Sequence, residues 1–254
     1  MRILFVADVF GAPGRRAVEA RLPGLRAELG VDFCIVNGEN AAAGRGITAK
    51  LAERLLASGA DVVTLGNWTF GQPDFAPYLA VAERVLRPAN LSPRTPGRGL
   101  VVHGAVAVVN LLGVFSLHPF ESPFLAADRL VEEARRETPV VVVDFHAEAT
   151  SEKVALARHL DGRVTAVLGT HTHVQTNDAR VLAGGTAAIT DAGMTGPHDS
   201  VIGSDDHNAI RRFLTGLPLR LEPATGDVRI EGVLVECGAD GRALSCEALR
   251  VPVP

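Results

Sequence analysis

Five short apolar stretches, each ending in polar residues, set the pattern of the chain. Ile3–Ala7 runs into Asp8, and Phe33–Val36 into Asn37-Gly38-Glu39-Asn40. Val62–Leu65 leads to Gly66-Asn67, Val140–Val143 to Asp144-Phe145-His146, and Val164–Leu168 to Gly169-Thr170-His171-Thr172-His173. Brief apolar runs bounded by glycine and polar residues read as buried strands of a largely parallel sheet. Ligands in open α/β sheets collect beyond the carboxyl ends of such strands. Strands lying side by side would bring these polar tails to one spot.

Helical patterns alternate with the strands. One is expected from Arg15 to about Leu29, with Ala17, Val18, Leu22 and Leu25 on one face and Pro23-Gly24 bending or interrupting it. Thr48 reads as the N-cap of a helix to Ala57 that Gly59 ends. Further helices are expected over 72–81, 123–137 (behind Ser122) and from Thr150 or Ser151 to Asp161-Gly162. Leu100–Leu117 reads as two strands joined at Gly104, and Ala187–Thr190 as another strand. From Leu217 to Val253 polar and apolar residues alternate, with turn signals at Thr225-Gly226-Asp227 and Ala239-Asp240-Gly241, so an antiparallel meander is expected. Strand–helix alternation followed by hairpins predicts an α/β sandwich of two sheets covered by helices on both sides. With no repeat and no clear linker, 1–254 reads as one domain.

Composition narrows the function. A formal charge of −4 gives no electrostatic case for a nucleic-acid backbone or an acidic membrane. No apolar run is long enough to span a bilayer, and nothing at the start resembles a signal peptide. The three cysteines make no disulfide framework: Cys34 lies within an apolar run, and Cys237 and Cys246 flank a hairpin turn as free thiols. These features place the protein in the cytoplasm.

The polar tails carry the candidate chemistry. His171-x-His173 after a buried strand can present two imidazoles to neighbouring ions. Glu39 is acidic at the mouth of an apolar sheet, where an unpaired carboxylate is costly and a cation would remove the cost. Asp144 or Glu148 is placed to orient His146. Oxygen donors mixed with imidazoles suit manganese, iron or zinc better than calcium or magnesium. Two such ions form the usual clamp for in-line attack of hydroxide on a phosphoester. The same residues taken singly would read as turns, caps or hydrogen-bonded loop histidines. A metal amidohydrolase ranks low, because there the H-x-H pair usually follows the first strand.

The order Asp8, Glu39, Gly66-Asn67, His146, Gly169-x-His171-x-His173 resembles the calcineurin-like metallophosphoesterases. The fuller strings are similar to its YmdB-like subgroup: A-D-V-F-G-A-P-G-R at 7–15, N-G-E-N-A-A-A-G-R-G-I-T at 37–48 and R-P-A-N at 87–90. D-F-H-A-E-A-T-S-E-K at 144–153, G-T-H-T-H-V-Q-T-N-D at 169–178 and I-T-D-A-G-M-T-G-P at 189–197 continue the likeness. The resemblance implies a four-layer αββα sandwich with mixed sheets and two metal ions, iron or manganese first and zinc third. It implies Asp8, Glu39, Asn40 and His173 on one ion, and Glu39, Asn67, His146 and His171 on the other, with Glu39 bridging. Phe10 stands where the wider superfamily has a ligand histidine, and Asn40 supplies the missing donor. The implied activity is hydrolysis of small phosphodiesters, with cyclic nucleotides such as 2′,3′-cyclic nucleoside monophosphates as the leading class.

One departure stands out. The family's Gly-Asn-His reads Gly66-Asn67-Trp68 here, and an indole N–H is only a neutral donor. Losing a general acid costs about 10²–10⁴-fold in rate. Catalytic candidates are therefore Glu39, Asn67 and Trp68, the last in a role its chemistry calls into question. His118 and His198 are candidate substitutes, and Trp68 could stack on a nucleobase, though packing in the interior is its default. Arg15, Arg45 and Arg98 are candidate phosphate partners, since arginine matches phosphate geometry; Arg15, Arg45, Trp68 and His198 make up the expected substrate contacts. The alternative is a metal- and nucleotide-binding regulatory protein with weakened catalysis. The expected partner is a small phosphodiester or nucleotide, and a homo-oligomer stays open.

Overall fold

Alternation within the first strand decides what covers it. Ile3 and Phe5 pack into a core between two sheets, while Leu4 and Val6 face a second core under helices. A strand buried on both faces is continuously apolar, as this one is. The computed structural model describes residues 1–253. Its first half comprises β1 (Arg2–Val6), α1 (Gly11–Leu29), β2 (Phe33–Asn37), α2 (Ala49–Ala57), β3 (Val62–Thr64), α3 (Phe75–Val81) and β4 (Val85–Leu86). Then come β5 (Leu100–His103), β6 (Val106–Leu112), α4 (Pro123–Arg135), β7 (Val140–His146), α5 (Thr150–His159), β8 (Ala166–Thr170), β9 (Arg180–Val181) and β10 (Ala187–Ile189). The chain closes with β11 (Gly196–Asp199), α6 (Asp206–Thr215), β12 (Gly226–Cys237) and β13 (Ala243–Pro252).

One sheet has the order β11-β12-β1-β2-β3-β4, with β13 on β12; the other runs β5-β6-β7-β8-β10-β9. Strands β1 to β4 pair in parallel, as do β6, β7, β8 and β10. Between the sheets lie Phe5, Ile35, Val108, Val142, Leu168 and Val233, among others. Helices α1, α2 and α3 cover the outer face of the first sheet, and α4 and α5 that of the second. This is the expected αββα layering with mixed sheets.

The five polar-tailed runs do not share one sheet. β1, β2 and β3 belong to the first, β7 and β8 to the second, and their carboxyl ends meet across the interface. Helix α1 begins at Gly11 and runs through Pro23, because Val18, Leu22 and Leu25 pack on the sheet from both sides of the proline. Strand β6 stops at Leu112, short of the expected Leu117; Val114 and Phe115 are exposed loop residues despite their apolar character. In the tail, Ala239–Gly241 does turn between β12 and β13, but 225–227 only opens β12. Helix α6 precedes it, where the sequence pattern predicts no helix. All three cysteines are free thiols.

Candidate metal centre

The two sheets are bolted together just beneath the candidate site. Asp144, wholly buried on β7, accepts hydrogen bonds from Asn37 Nδ2 (2.9 Å) and Thr64 Oγ1 (2.5 Å) of the first sheet. Thr170 Oγ1 of β8 donates to its other oxygen at 2.8 Å. Burial pushes the Asp144 carboxyl above its ordinary range, against the pull of these donors and of His146. Asn110 Nδ2 ties across to the Leu65 carbonyl at 2.7 Å. Thr64 and Asn110 lie inside apolar runs and carry no motif, so nothing in the sequence marks them.

Above this bolt the expected residues gather in two clusters. His146 Nε2 lies 2.9 Å from Asn67 Oδ1, 3.2 Å from Glu39 Oε1 and 3.0 Å from His171 Nδ1. His173 Nε2 lies 3.3 Å from Asn40 Oδ1 and 3.4 Å from Asp8 Oδ2. The His171 backbone N–H donates to Asp8 Oδ2 at 3.1 Å and so joins the clusters. Asn40 is turned by its own amide, whose Nδ2 donates to the Gly44 carbonyl and leaves Oδ1 toward His173.

Each histidine is pinned from outside. His146 Nδ1 donates to Thr170 Oγ1 at 2.9 Å, since that hydroxyl's hydrogen goes to Asp144. His171 Nε2 donates to Glu148 Oε2 at 2.9 Å, and His173 Nδ1 to the Ile202 carbonyl at 2.9 Å. An outer acceptor orients each ring and turns the opposite nitrogen toward the pocket, where a bound cation would take the place of any proton it carries. Three such nitrogens therefore point inward. The spacing places Asp144 behind His146, through Thr170, whereas Glu148 serves His171.

The H-x-H turn is itself strained, with φ of +104° at His171 and +64° at His173. Non-glycine residues hold such angles only where the surroundings over-determine them. Here Thr172, between the two, donates both its N–H (3.0 Å) and its hydroxyl (2.8 Å) to Asp191 Oδ2. Buried Lys153 of α5 donates to the same oxygen at 2.8 Å.

The donor set fits a cation. Asp8 Oδ1 and Glu39 Oε2 are buried with no hydrogen-bond partner among the described residues. An unsatisfied buried carboxylate oxygen is expensive unless a cation meets it. Burial, reinforced by Asp191, Asp144 and Glu39, raises Asp8 to about 8. Burial opposes charge on His146, but Glu39, Asp8 and Asp144 outweigh it and raise the ring to about 9, so the pocket favours positive charge. His171, held down to about 3 by burial and its histidine neighbours, and His173, lowered by burial, stay neutral. A Cβ at Gly66 would stand 2.4 Å from both Glu39 Oε2 and the His146 ring, so only glycine leaves this cradle open. Among the described residues no group of three or more His, Cys, Asp or Glu side chains is preformed to hold an ion; the donors contact one another directly.

The remaining candidates divide. Trp68 is not packed in the interior; it is 36% exposed, with the Arg45 guanidinium 4.1 Å above its ring. Its backbone N–H donates to Glu39 Oε1 at 2.9 Å, so the backbone rather than the indole serves the centre. Arg45 itself is exposed, and Gln72 Nε2 holds its carbonyl at 2.7 Å. Arg15 donates to the Ala41 carbonyl and braces the turn after Asn40. His198 Nε2 donates to the Met194 carbonyl at 3.1 Å. His118 lies in the loop that follows β6, and Arg98 forms an isolated bridge with Leu86 of β4.

A sandwich of this layering, with these residues at the carboxyl ends of its parallel strands, has the architecture of the metallophosphoesterases. The chain belongs to the YmdB-like protein family, whose profile matches residues 4–249. A 2′,3′-cyclic-nucleotide 2′-phosphodiesterase of Bacillus subtilis (strain 168) is 48% identical over 240 residues, spanning 93% of this chain and 91% of the relative. A hypothetical protein from Thermus thermophilus has a similar structure, with a TM-score of 0.93, 41% identity and 100% of both chains covered. A novel phosphatase from Mycoplasma pneumoniae follows, with a TM-score of 0.90 and 34% identity over 99% of this chain and 93% of that one. No helix among the described residues is long and apolar enough to cross a membrane.

Proposed function

We propose that the protein hydrolyses small phosphodiesters, with 2′,3′-cyclic nucleoside monophosphates as the leading class, at a centre built for two metal ions. The observation that carries this reading is the gathering of three histidine rings, each held from outside by one nitrogen, around Asp8 and Glu39, two buried carboxylates that each keep one oxygen without a hydrogen-bond partner among the described residues. The 2′,3′-cyclic-nucleotide 2′-phosphodiesterase of Bacillus subtilis, as a relative, supports the substrate class.

Asp8, Asn40 and His173 would hold one ion, and Asn67, His146 and His171 the other, with Glu39 shared. Mixed nitrogen and hard oxygen donors favour iron or manganese, with zinc third. Bound there, the ions would supply Lewis-acid polarisation of phosphoryl oxygens and water ionised near neutral pH. The chain's own residues do the rest. Glu39, fixed by the Trp68 N–H, holds negative charge at the centre of the pocket. Arg45, exposed above the Trp68 ring, presents a cation to the phosphate. Trp68 provides no proton for the departing oxygen, so esters with good leaving groups turn over best. Three free thiols suit a reducing, cytoplasmic setting.

The test is hydrolysis of an aryl phosphodiester and of 2′,3′-cyclic nucleotides by manganese- or iron-loaded protein. Turnover that Glu39→Gln abolishes supports the proposal; loaded wild type without turnover of any phosphoester overturns it. Trp68 also motivates a second reading, a nucleotide-binding regulator with residual catalysis. That reading expects tight nucleotide binding with negligible turnover, and a strong gain from Trp68→His; a loss of activity in that variant excludes it.

A further inference from the structure

The fold fixes Trp68 firmly and yet leaves its ring in water. Its N–H goes to Glu39 Oε1 at 2.9 Å, and its carbonyl accepts the Gly71 N–H at 2.7 Å. Thr69, next in sequence and buried, donates its hydroxyl to the Gly66 carbonyl at 2.7 Å. The turn that carries Arg45 closes on the same spot: a Cβ at Gly46 would stand 2.9 Å from the Trp68 carbonyl oxygen. Gln72 Nε2 holds the Arg45 carbonyl at 2.7 Å, and the Arg45 guanidinium lies over the indole. A cation on an aromatic face restrains the ring without burying it. Burial is where a tryptophan contributes most to stability. The two turns are already joined by Gln72 and by close backbone packing, so an exposed ring is not needed to latch them.

Position selects the ligand. Asn67, one residue earlier, puts Oδ1 2.9 Å from His146 Nε2, and the N–H of Trp68 itself reaches Glu39, so the indole stands at the rim of the candidate centre. A phosphodiester held there brings one of its substituents within reach of the ring. In a cyclic nucleotide the substituent with a flat π-face is the base, and bases stack on aromatic side chains and on guanidinium planes. The Thr69 hydroxyl and the Gln72 amide nitrogen are spent on backbone carbonyls. The turn therefore offers a base a surface to lie on rather than groups that read its edge.

We propose that Trp68, braced by Arg45, is the platform on which the nucleobase of the substrate stacks, and that it accepts purines and pyrimidines alike. The ligand class rests on the proposed function. The platform gives the departure from Gly-Asn-His a positive role: where a histidine would give a proton, this chain grips the nucleoside.

Trp68 is the chain's one tryptophan, so intrinsic fluorescence reports on this site alone. Adenosine 3′-monophosphate and uridine 3′-monophosphate, added to manganese-loaded wild type and excited outside nucleotide absorption, are each expected to quench the emission saturably. Ribose 5-phosphate is expected to leave it unchanged. Equilibrium dialysis gives the affinities. Trp68→Leu should weaken nucleotide binding by about 10-fold or more and ribose 5-phosphate binding much less, while Trp68→Phe keeps most of the nucleotide affinity. Circular dichroism of both variants should match wild type, because the ring is exposed. Nucleotide bound without quenching overturns the platform, as does failure of either nucleotide to bind. So does a loss in Trp68→Leu that is equal for nucleotide and ribose 5-phosphate. Phosphoester turnover without quenching overturns the platform and leaves the proposed activity standing; quenching without turnover does the reverse.

Discussion

His146 is aimed by residues that never touch the pocket. Thr170 accepts its Nδ1 hydrogen and donates its own to Asp144, so Nε2 faces inward. Thr170→Val removes that relay at nearly constant volume. It is expected to weaken metal binding by about 10–100-fold, measured by competition with a chelator, while circular dichroism stays native. Trp68→His restores an acid–base group beside Asn67. It should raise kcat by about 10²-fold or more for alkyl diesters with poor leaving groups and much less for aryl esters. Equal gains for both classes would show that proton donation is not what Trp68 lacks.

At the level of elements, strand ends deliver the ligands and short turns aim them. Gly66→Ala pushes a methyl group against Glu39 and His146; the expected result is loss of metal and activity with the fold retained, read by elemental analysis beside thermal melting. Lys153→Met leaves Asp191 buried without its cation under Thr172. Breaking a buried pair from one side costs about 3–5 kcal/mol, to be checked by urea denaturation. The candidate ligands are readable in the sequence because each follows its strand within a few residues, where run and tail are contiguous. The division into two sheets is not, since periodicity marks a strand without naming its neighbours. Nor is the bolt at Asp144, whose partners Asn37 and Thr64 lie 107 and 80 residues away in sequence. Helix α6 has its signals in Asp205, the Ile210–Phe213–Leu214 spacing and Gly216, but they span barely three turns and bury only Ala209, so the pattern is weak beside the long alternation downstream.

In the molecule as a whole, the candidate centre lies on the seam between the sheets, so ligand binding and folding are linked. Metal at about 100-fold its dissociation constant should stabilise the fold by about 2.7 kcal/mol. For a chain of this size that is a rise of about 5–10 °C in Tm, and Glu39→Gln should show none of it. The most direct measurement is anomalous diffraction from crystals of the manganese-loaded protein. Two peaks about 3.5–4 Å apart are expected, one against Asp8, Asn40 and His173 and the other against Asn67, His146 and His171, with Glu39 between them. No peak in the pocket, or manganese bound only elsewhere on the surface, would contradict the assignment.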